Sequence, residues 1–258
     1  MKREHKEEMK ARRRNICLKV AYDGTRYHGF QRQTPPVVAV QNVLEKQLGK
    51  MFGDSIEMAA AGRTDAGVHA YGQVVNFFTN GSIPTERIVK AANSLLPDDI
   101  VVVEAWEGDF DFSARHSAKS KTYLYRLQQG VVPNPFTDRY AWYIWRPLNI
   151  GAMREALALL EGTHDFSSFR AAGGAPMSPV RTLYRAKLLE KEGGILEFNI
   201  HGNGFLYHMV RNIVGTVVDV GTGRFTVERF REILEACDRS KASPTAPACG
   251  LYLYEVEY

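Results

Sequence analysis

SIEMAAAGRTDAGVHAYGQVVNFFT, residues 55–79, reads as a strand, a charged turn and a second strand. Gly62 and Gly67 tolerate positive φ, so GRTDAG is expected to be a tight turn leaving SIEMAAAG and leading into YGQVVNFFT. In an extended exit, side chains alternate with period 2, which puts Arg63 and Asp65 on the same side. A guanidinium beside a carboxylate lowers the carboxylate pKa and fixes its direction. Such an Asp is ionised and aimed, as a nucleophile or base must be. An Asx turn with a surface salt bridge uses the same residues, and spacing alone leaves both readings open.

Outward from this segment the periodicity alternates between 2 and 3.6. NICLKVAY (15–22) is a strand with Ile16, Leu18 and Val20 on one face. VQNVLEKQLGKMF (40–52) is a helix with a stripe of Val40, Val43, Leu44, Leu48, Met51 and Phe52. A second helix runs from Pro84 to the break at Pro97, and IVVVEAW (100–106), nearly all apolar, is expected to be a central, buried strand. Beyond it KTYLYRLQQ and YAWYIW are strands around the Pro-rich loop VVPNPF, and a helix runs from about Ile150 to Leu160 and stops at Gly162. RTLYRAKLLE and GILEFNIHG pair across a glycine turn at Gly193 and Gly194. A long helix from about Phe205 to Val220 carries the stripe Leu206, Met209, Val210, Ile213, Val214 and Val217. A shorter helix over TVERFREILEAC and a last strand, LYLYEVEY, complete the chain. The expected class is α/β (α+β): two similar halves, each a mixed, mainly antiparallel sheet with helices packed on one face. The division is expected as a basic, flexible arm over 1–14, an N-terminal half over 15–147 with the Asp loop, and a C-terminal half over 148–258.

Composition narrows the function. The 258 residues are 45% hydrophobic and 24% charged, ordinary for a soluble globular protein. Three cysteines, Cys17, Cys237 and Cys249, form no C-x-x-C pair and no ligand spacing with the seven histidines, so neither a disulfide framework nor a metal site is expected. No apolar run approaches the length of a membrane span, and no signal-peptide pattern follows the first residues, so a cytoplasmic location is expected. The net charge of +4 resides in residues 1–14, with seven Lys or Arg against three Glu; the other residues balance at 26 of each sign. Any RNA partner must therefore be argued from where the arginines sit.

Several segments interleave aromatic rings with cations, the pairing that stacks on bases and meets phosphates. YDGTRYHGFQRQ (22–33) brings Tyr22, Arg26, Gln31 and Arg32, and FSARHSAKSKTYLY (112–125) brings Arg115, His116, Lys119 and Tyr123. SPVRTLYR offers Arg181. In HMVRN the core stripe leaves His208, Arg211 and Asn212 on the other side of the helix. Gly62, Thr64 and His69 complete the candidate RNA-binding set around the opening loop. Phosphate-loop, nucleophile-elbow, zinc-helix and dinucleotide patterns do not occur, which leaves cofactor-free chemistry.

GRTDAGVHA, with YDGTRYHGFQRQ upstream and FSARHSAKSKTYLYR, DFSSFR, SPVRT, NGFLYHMVRNIVG and GLYL downstream, resembles the bacterial tRNA pseudouridine synthase A family over residues 15–258. The resemblance implies isomerisation of uridine to pseudouridine at positions 38, 39 and 40 of the tRNA anticodon stem-loop, with base flipping and no cofactor. It implies that Asp65 is the nucleophile, that Arg63 helps flip or replace the target nucleotide, that Tyr123 stacks on the base, and that Arg211 pairs with the carboxylate. It further implies a homodimer with the active-site cleft between the two halves. The rival expectation is a non-catalytic RNA-binding protein of the same fold. The basic arm has no counterpart in the family's motifs, so its contact with tRNA is a separate expectation.

Overall fold

Alternation at Ile16, Leu18 and Val20 is realised as β1, Arg14–Tyr22. In the computed structural model, which describes residues 13–174 and 176–258, Arg14 already pairs with Thr79 of the neighbouring strand and its guanidinium donates to Glu107 Oε1 at 2.9 Å. The ordered sheet therefore begins inside the expected arm, whose first twelve residues lie outside those described. The chain folds as two compact units, one running up to Ala118 and regaining Leu253–Tyr258, the other formed by Lys119–Tyr252.

The first unit contains β1, α1 (Val40–Phe52), β2 (Met58–Ala60), β3 (His69–Thr79), α2 (Thr85–Asn93) and β4 (Ile100–Gly108). β1 lies between β4 and β3, antiparallel to both, and β2 adds antiparallel to β3. Helix α1 buries Val40, Leu44, Leu48 and Phe52, and the Phe52 ring meets Phe77 of β3 edge-on at 5.5 Å. Gly53, at φ 63, ends that helix with its N–H on the Gly49 carbonyl. On the opposite face Ala61, Val74 and Ala114 pack with Trp106, Phe112, Val256 and Tyr258.

β4 is an edge strand and not the central one its composition suggested. Ile100 and Val102 are buried on the side where α2 packs, whereas Val101 and Val103 stay 41% and 51% exposed. An unbroken apolar run does not report whether both faces are covered; here only one is. The edge is blunted by Asn93 of α2, whose amide donates to the Val102 carbonyl at 2.9 Å while its oxygen accepts the Val102 N–H at 2.8 Å.

The second unit contains β5 (Ser120–Gln129), β6 (Trp142–Ile144), α3 (Ile150–Ala158), β7 (Gly162–Asp165), β8 (Val180–Lys191), β9 (Ile195–Gly202), α4 (Met209–Gly221) and α5 (Val227–Glu235). Its strand order is β5-β9-β8-β7, antiparallel throughout, with β6 parallel to β5. Gly193 and Gly194 hold φ of 72° and 74° in the β8–β9 turn, as expected for that glycine pair. The mixed, mainly antiparallel class is therefore observed, and β10 (Leu251–Glu257) closes the chain. The two compact units part at 118/119. The loop VVPNPF has the composition of a linker, but β5 before it pairs with β9 and β6 after it pairs with β5, so hydrogen bonds tie both sides to the second unit.

Helix α4 starts at Met209, later than periodicity indicated, because His208 takes φ 59 as its N-cap. The side that carries Arg211 and Asn212 is crossed by another segment of the chain. A Cβ on Gly215 would lie 2.3 Å from the Pro244 carbonyl, so the segment 243–246 runs directly across that face.

Candidate active site

The turn GRTDAG leaves β2 where its ladder with β3 stops. The Asp65 carbonyl accepts the Val68 N–H at 3.1 Å, and Gly67 between them sits at φ 75, which makes the tip a type II turn. Asp65 is half-buried at the start of that turn and Arg63 is exposed. Arg63 Nε donates to Gln31 Oε1 at 3.0 Å, so the guanidinium is oriented from the 22–33 loop.

That loop lies against the turn, backbone to backbone. The Phe30 N–H donates to the Thr64 carbonyl at 3.0 Å and the Gly67 N–H to the Tyr27 carbonyl at 3.2 Å. Gly24 and Gly29 permit the approach: a Cβ on Gly24 would lie 2.0 Å from the Val68 oxygen, and one on Gly29 would lie 2.7 Å from the Thr64 oxygen. Asp65 is therefore carried by a backbone fastened on both sides of it.

Four residues expected among the RNA contacts are buried instead. Tyr22 is only 5% exposed, and Thr64, His69 and Asn212 are likewise enclosed. The Tyr22 hydroxyl and Thr64 Oγ1 lie 2.8 Å apart in a hydrogen bond beneath the loop. Burial raises the Tyr22 pKa, and hydrogen bonds from Thr64 and Gln73 offset part of that rise. His69 Nδ1 lies 3.1 Å from both the Gly24 nitrogen and Asp23 Oδ1, joining the two loops at their bases. Asn212 donates to the Phe169 carbonyl at 2.8 Å and accepts from Thr245 Oγ1 at 2.6 Å and from Arg239 at 3.1 Å. The residue types suggested contact with solvent, but the facing chain, distant in sequence, encloses each one.

The remaining candidates of the first unit lie outward. Arg26 donates to Asp99 Oδ2 at 2.8 Å, and Tyr27 donates to the other oxygen of the same carboxylate. Arg32 pairs with Glu45 at 2.9 Å. Arg115 and His116 are exposed in the turn closed by Ser113 and Ser117.

In the second unit Lys119 is exposed, and Tyr123 on β5 is buried edge-on against Phe205 at 4.8 Å. Arg211 is half-buried; its Nε donates to the Ala246 carbonyl at 2.7 Å, and the Ala246 N–H returns a bond to the Arg211 carbonyl. Arg181 donates to the carbonyls of Ser178 and Val180, and desolvation with the neighbouring Arg170 charge lowers its pKa. The His208 ring lies 3.9 Å from that of Tyr207. Among the described residues no group of three His, Cys, Asp or Glu is placed to hold a metal ion, and no helix is long and apolar enough to cross a membrane.

Sequence reasoning passed over Gln73, whose Nε2 donates to the Gly62 carbonyl at 2.8 Å. The available signal was a polar amide in the apolar strand HAYGQVVNFFT.

The loop, its glycine-dependent support and α4 lie in the two stretches, residues 19–117 and 156–258, that match the family model described as tRNA pseudouridine synthase. The chain is 46% identical over 245 residues to a tRNA pseudouridine synthase A of Thermoanaerobacter sp. (strain X514), covering 95% of this chain and 100% of that protein. It is 49% identical over 244 residues to one of Geobacillus kaustophilus (strain HTA426), covering 94% and 93%, and 43% identical over 248 residues to one of Neisseria gonorrhoeae (strain ATCC 700825 / FA 1090), covering 96% and 93%. Likeness of this extent, across nearly the full length of each relative, shows that the chain belongs to the tRNA pseudouridine synthase family and is an isomerase that converts uridine to pseudouridine in tRNA.

Proposed function

We propose that the enzyme acts on uridines 38, 39 and 40 of the tRNA anticodon stem-loop and that Asp65 is its nucleophile. The observation that carries the reading is the fastening of the GRTDAG backbone on both sides of a half-buried carboxylate. Uridine must break its N1 glycosidic bond, turn, and rejoin the sugar through C5, releasing the C5 hydrogen as a proton. No electrons are gained or lost overall. An ionised carboxylate serves each available route: addition to C6, attack at C1′, or proton abstraction toward a glycal.

The base must first leave the helical stack, which costs a few kcal/mol. Arg63, exposed and held by Gln31, is suited to enter the space the nucleotide vacates. Stacking of the base on Tyr123 and support of the Asp65 carboxylate by Arg211 are assigned on the family resemblance. The exposed Arg115, His116 and Lys119 are assigned to the phosphate backbone on their charge and exposure. A homodimer in the cytoplasm completes the reading; Cys17, Cys237 and Cys249, none of them in a disulfide, suit a reducing compartment.

Mapping pseudouridine by carbodiimide adducts and primer extension on unmodified tRNA transcripts tests the site choice. Stops at 38, 39 and 40 that need the enzyme are expected. Stops confined to another arm of the tRNA would overturn it.

A further inference from the structure

We propose that Gln73 is a positioning residue for the reaction. Its side-chain amide holds the Asp65 loop at residue 62 directly and at residue 64 through Tyr22. The inference rests on the reading of Asp65 as the nucleophile.

The β2–β3 ladder pairs Met58 with Phe77, Ala59 with Asn76 and Ala60 with Val75, and the Ala61 N–H still donates to the Val74 carbonyl at 2.9 Å. The same register would next oppose Gly62 to Gln73, but there the backbone turns out of the sheet. The side chain of Gln73 takes over from the ladder, donating from Nε2 to the Gly62 carbonyl at 2.8 Å.

Its amide also faces the Tyr22 hydroxyl, which is bonded to Thr64 Oγ1 at 2.8 Å. The register explains the meeting. β1 pairs Val20 with Gln73, and an irregularity in register between Val20 and Tyr22 shifts Tyr22 onto Ala70; Tyr22, two residues along β1 from Val20, therefore reaches the face that Gln73 occupies. The chain is thus gripped at 62 and 64, on either side of Arg63 and immediately before Asp65.

Packing does not account for this residue. Gln73 is fully buried, and among the described residues its Oε1 has no hydrogen-bond partner. A buried acceptor left unpaired lowers stability, a cost that an apolar side chain of the same size would avoid. The amide is therefore retained at a cost to stability, and its donor bonds go to the loop.

Gln73→Met keeps the length and removes the donor. The expected variant unfolds at the wild-type midpoint or above it, exchanges the amide hydrogens of 62–68 faster, and turns over about tenfold or more slowly with KM for tRNA within about twofold of wild type. Such a split follows because displacement of a reacting group by about 1 Å costs on the order of 100-fold in rate. Tyr22→Phe, which keeps the ring and loses the link to Thr64, should move kcat in the same direction by less.

Unchanged kcat in Gln73→Met, or a lowered midpoint with kcat and KM altered together, would overturn the proposal. Asp65→Asn in the same assay separates the two readings. Turnover by that variant would refute the nucleophile assignment, while loop exchange in Gln73→Met would still decide whether the amide holds the loop.

Discussion

Replacing Gly29 by Ala should slow catalysis without unfolding the protein, and the structure supplies its own control. Gly29 sits at φ 88, and an added Cβ would come 2.7 Å from the Thr64 oxygen and 3.3 Å from both the Asp65 carbonyl carbon and the Ala66 nitrogen. All three contacting atoms are backbone, so relief requires the loop itself to retreat by roughly half an ångström. Gly53 has a similar φ of 63 with nothing within 4 Å of its Cβ position.

Gly53→Ala therefore incurs the left-handed backbone strain alone, about 1–2 kcal/mol. Gly29→Ala adds overpacking of about 1–3 kcal/mol, for a total of roughly 2–5 kcal/mol by both effects. A domain stable by about 5–15 kcal/mol can absorb that and remain mostly folded. Half of a 1 Å displacement predicts about a tenfold fall in kcat for Gly29→Ala. Urea unfolding and tritium release from C5-labelled tRNA, run on both variants, measure the two effects separately. Wild-type kcat in Gly29→Ala, or an equal loss in Gly53→Ala, would refute the argument that the 22–33 loop sets the position of Asp65.

Asn212→Ala removes three bonds inside the second unit and leaves the Phe169 carbonyl and the Thr245 and Arg239 donors to find new partners. A loss of about 2–4 kcal/mol in urea unfolding is expected, since each stranded buried group costs about 1–3 kcal/mol and some will rebond; an unchanged midpoint would contradict the buried network. Glu107 has its pKa lowered first by the Arg14 hydrogen bond and then by Thr85. A depressed folded pKa adds stability above the unfolded carboxylate pKa and loses it as pH falls through the folded value. Glu107→Gln should therefore be less stable than wild type at pH 7, by no more than about 1 kcal/mol for so exposed a pair, and the gap should close in acid; a gap independent of pH would refute the pairing. Tyr123→Phe keeps the edge contact with Phe205 and should bind tRNA within about twofold of wild type, because stacking needs the ring and not the hydroxyl; a tenfold loss in a filter-binding titration would contradict its role as a stacking face.

Elements whose periodicity is local were legible: α1, β8, β9, α5 and the strands flanking GRTDAG lie within a few residues of where spacing put them. Features set by distant partners were not. β7 has no apolar alternation in Gly162–Asp165 and exists because Val180–Leu183 of β8 pairs with it. β4 presents valines on both faces, and nothing in IVVVEAW says that only one is covered. Asn212 looked solvent-facing because the helix stripe was complete without it, until the segment 243–246 crossed that face. Around Asp65 the motif identified the loop, whereas the inward direction of Tyr22, Thr64 and His69 depends on the register of β1 against β3. Gly24 and Gly29 looked like ordinary turn glycines; their close approach to Val68 and Thr64 is a tertiary fact.

The central claim, that Asp65 is the nucleophile of a uridine isomerase, is tested most directly by tritium release from C5-labelled uridine in an unmodified tRNA transcript, with wild type and Asp65→Asn compared at equal tRNA occupancy. Forming the new bond at C5 expels the hydrogen there, so release reports the isomerisation itself. The account predicts release by wild type and none by Asp65→Asn, with tRNA affinity preserved in the variant. Release by Asp65→Asn at a comparable rate would contradict it.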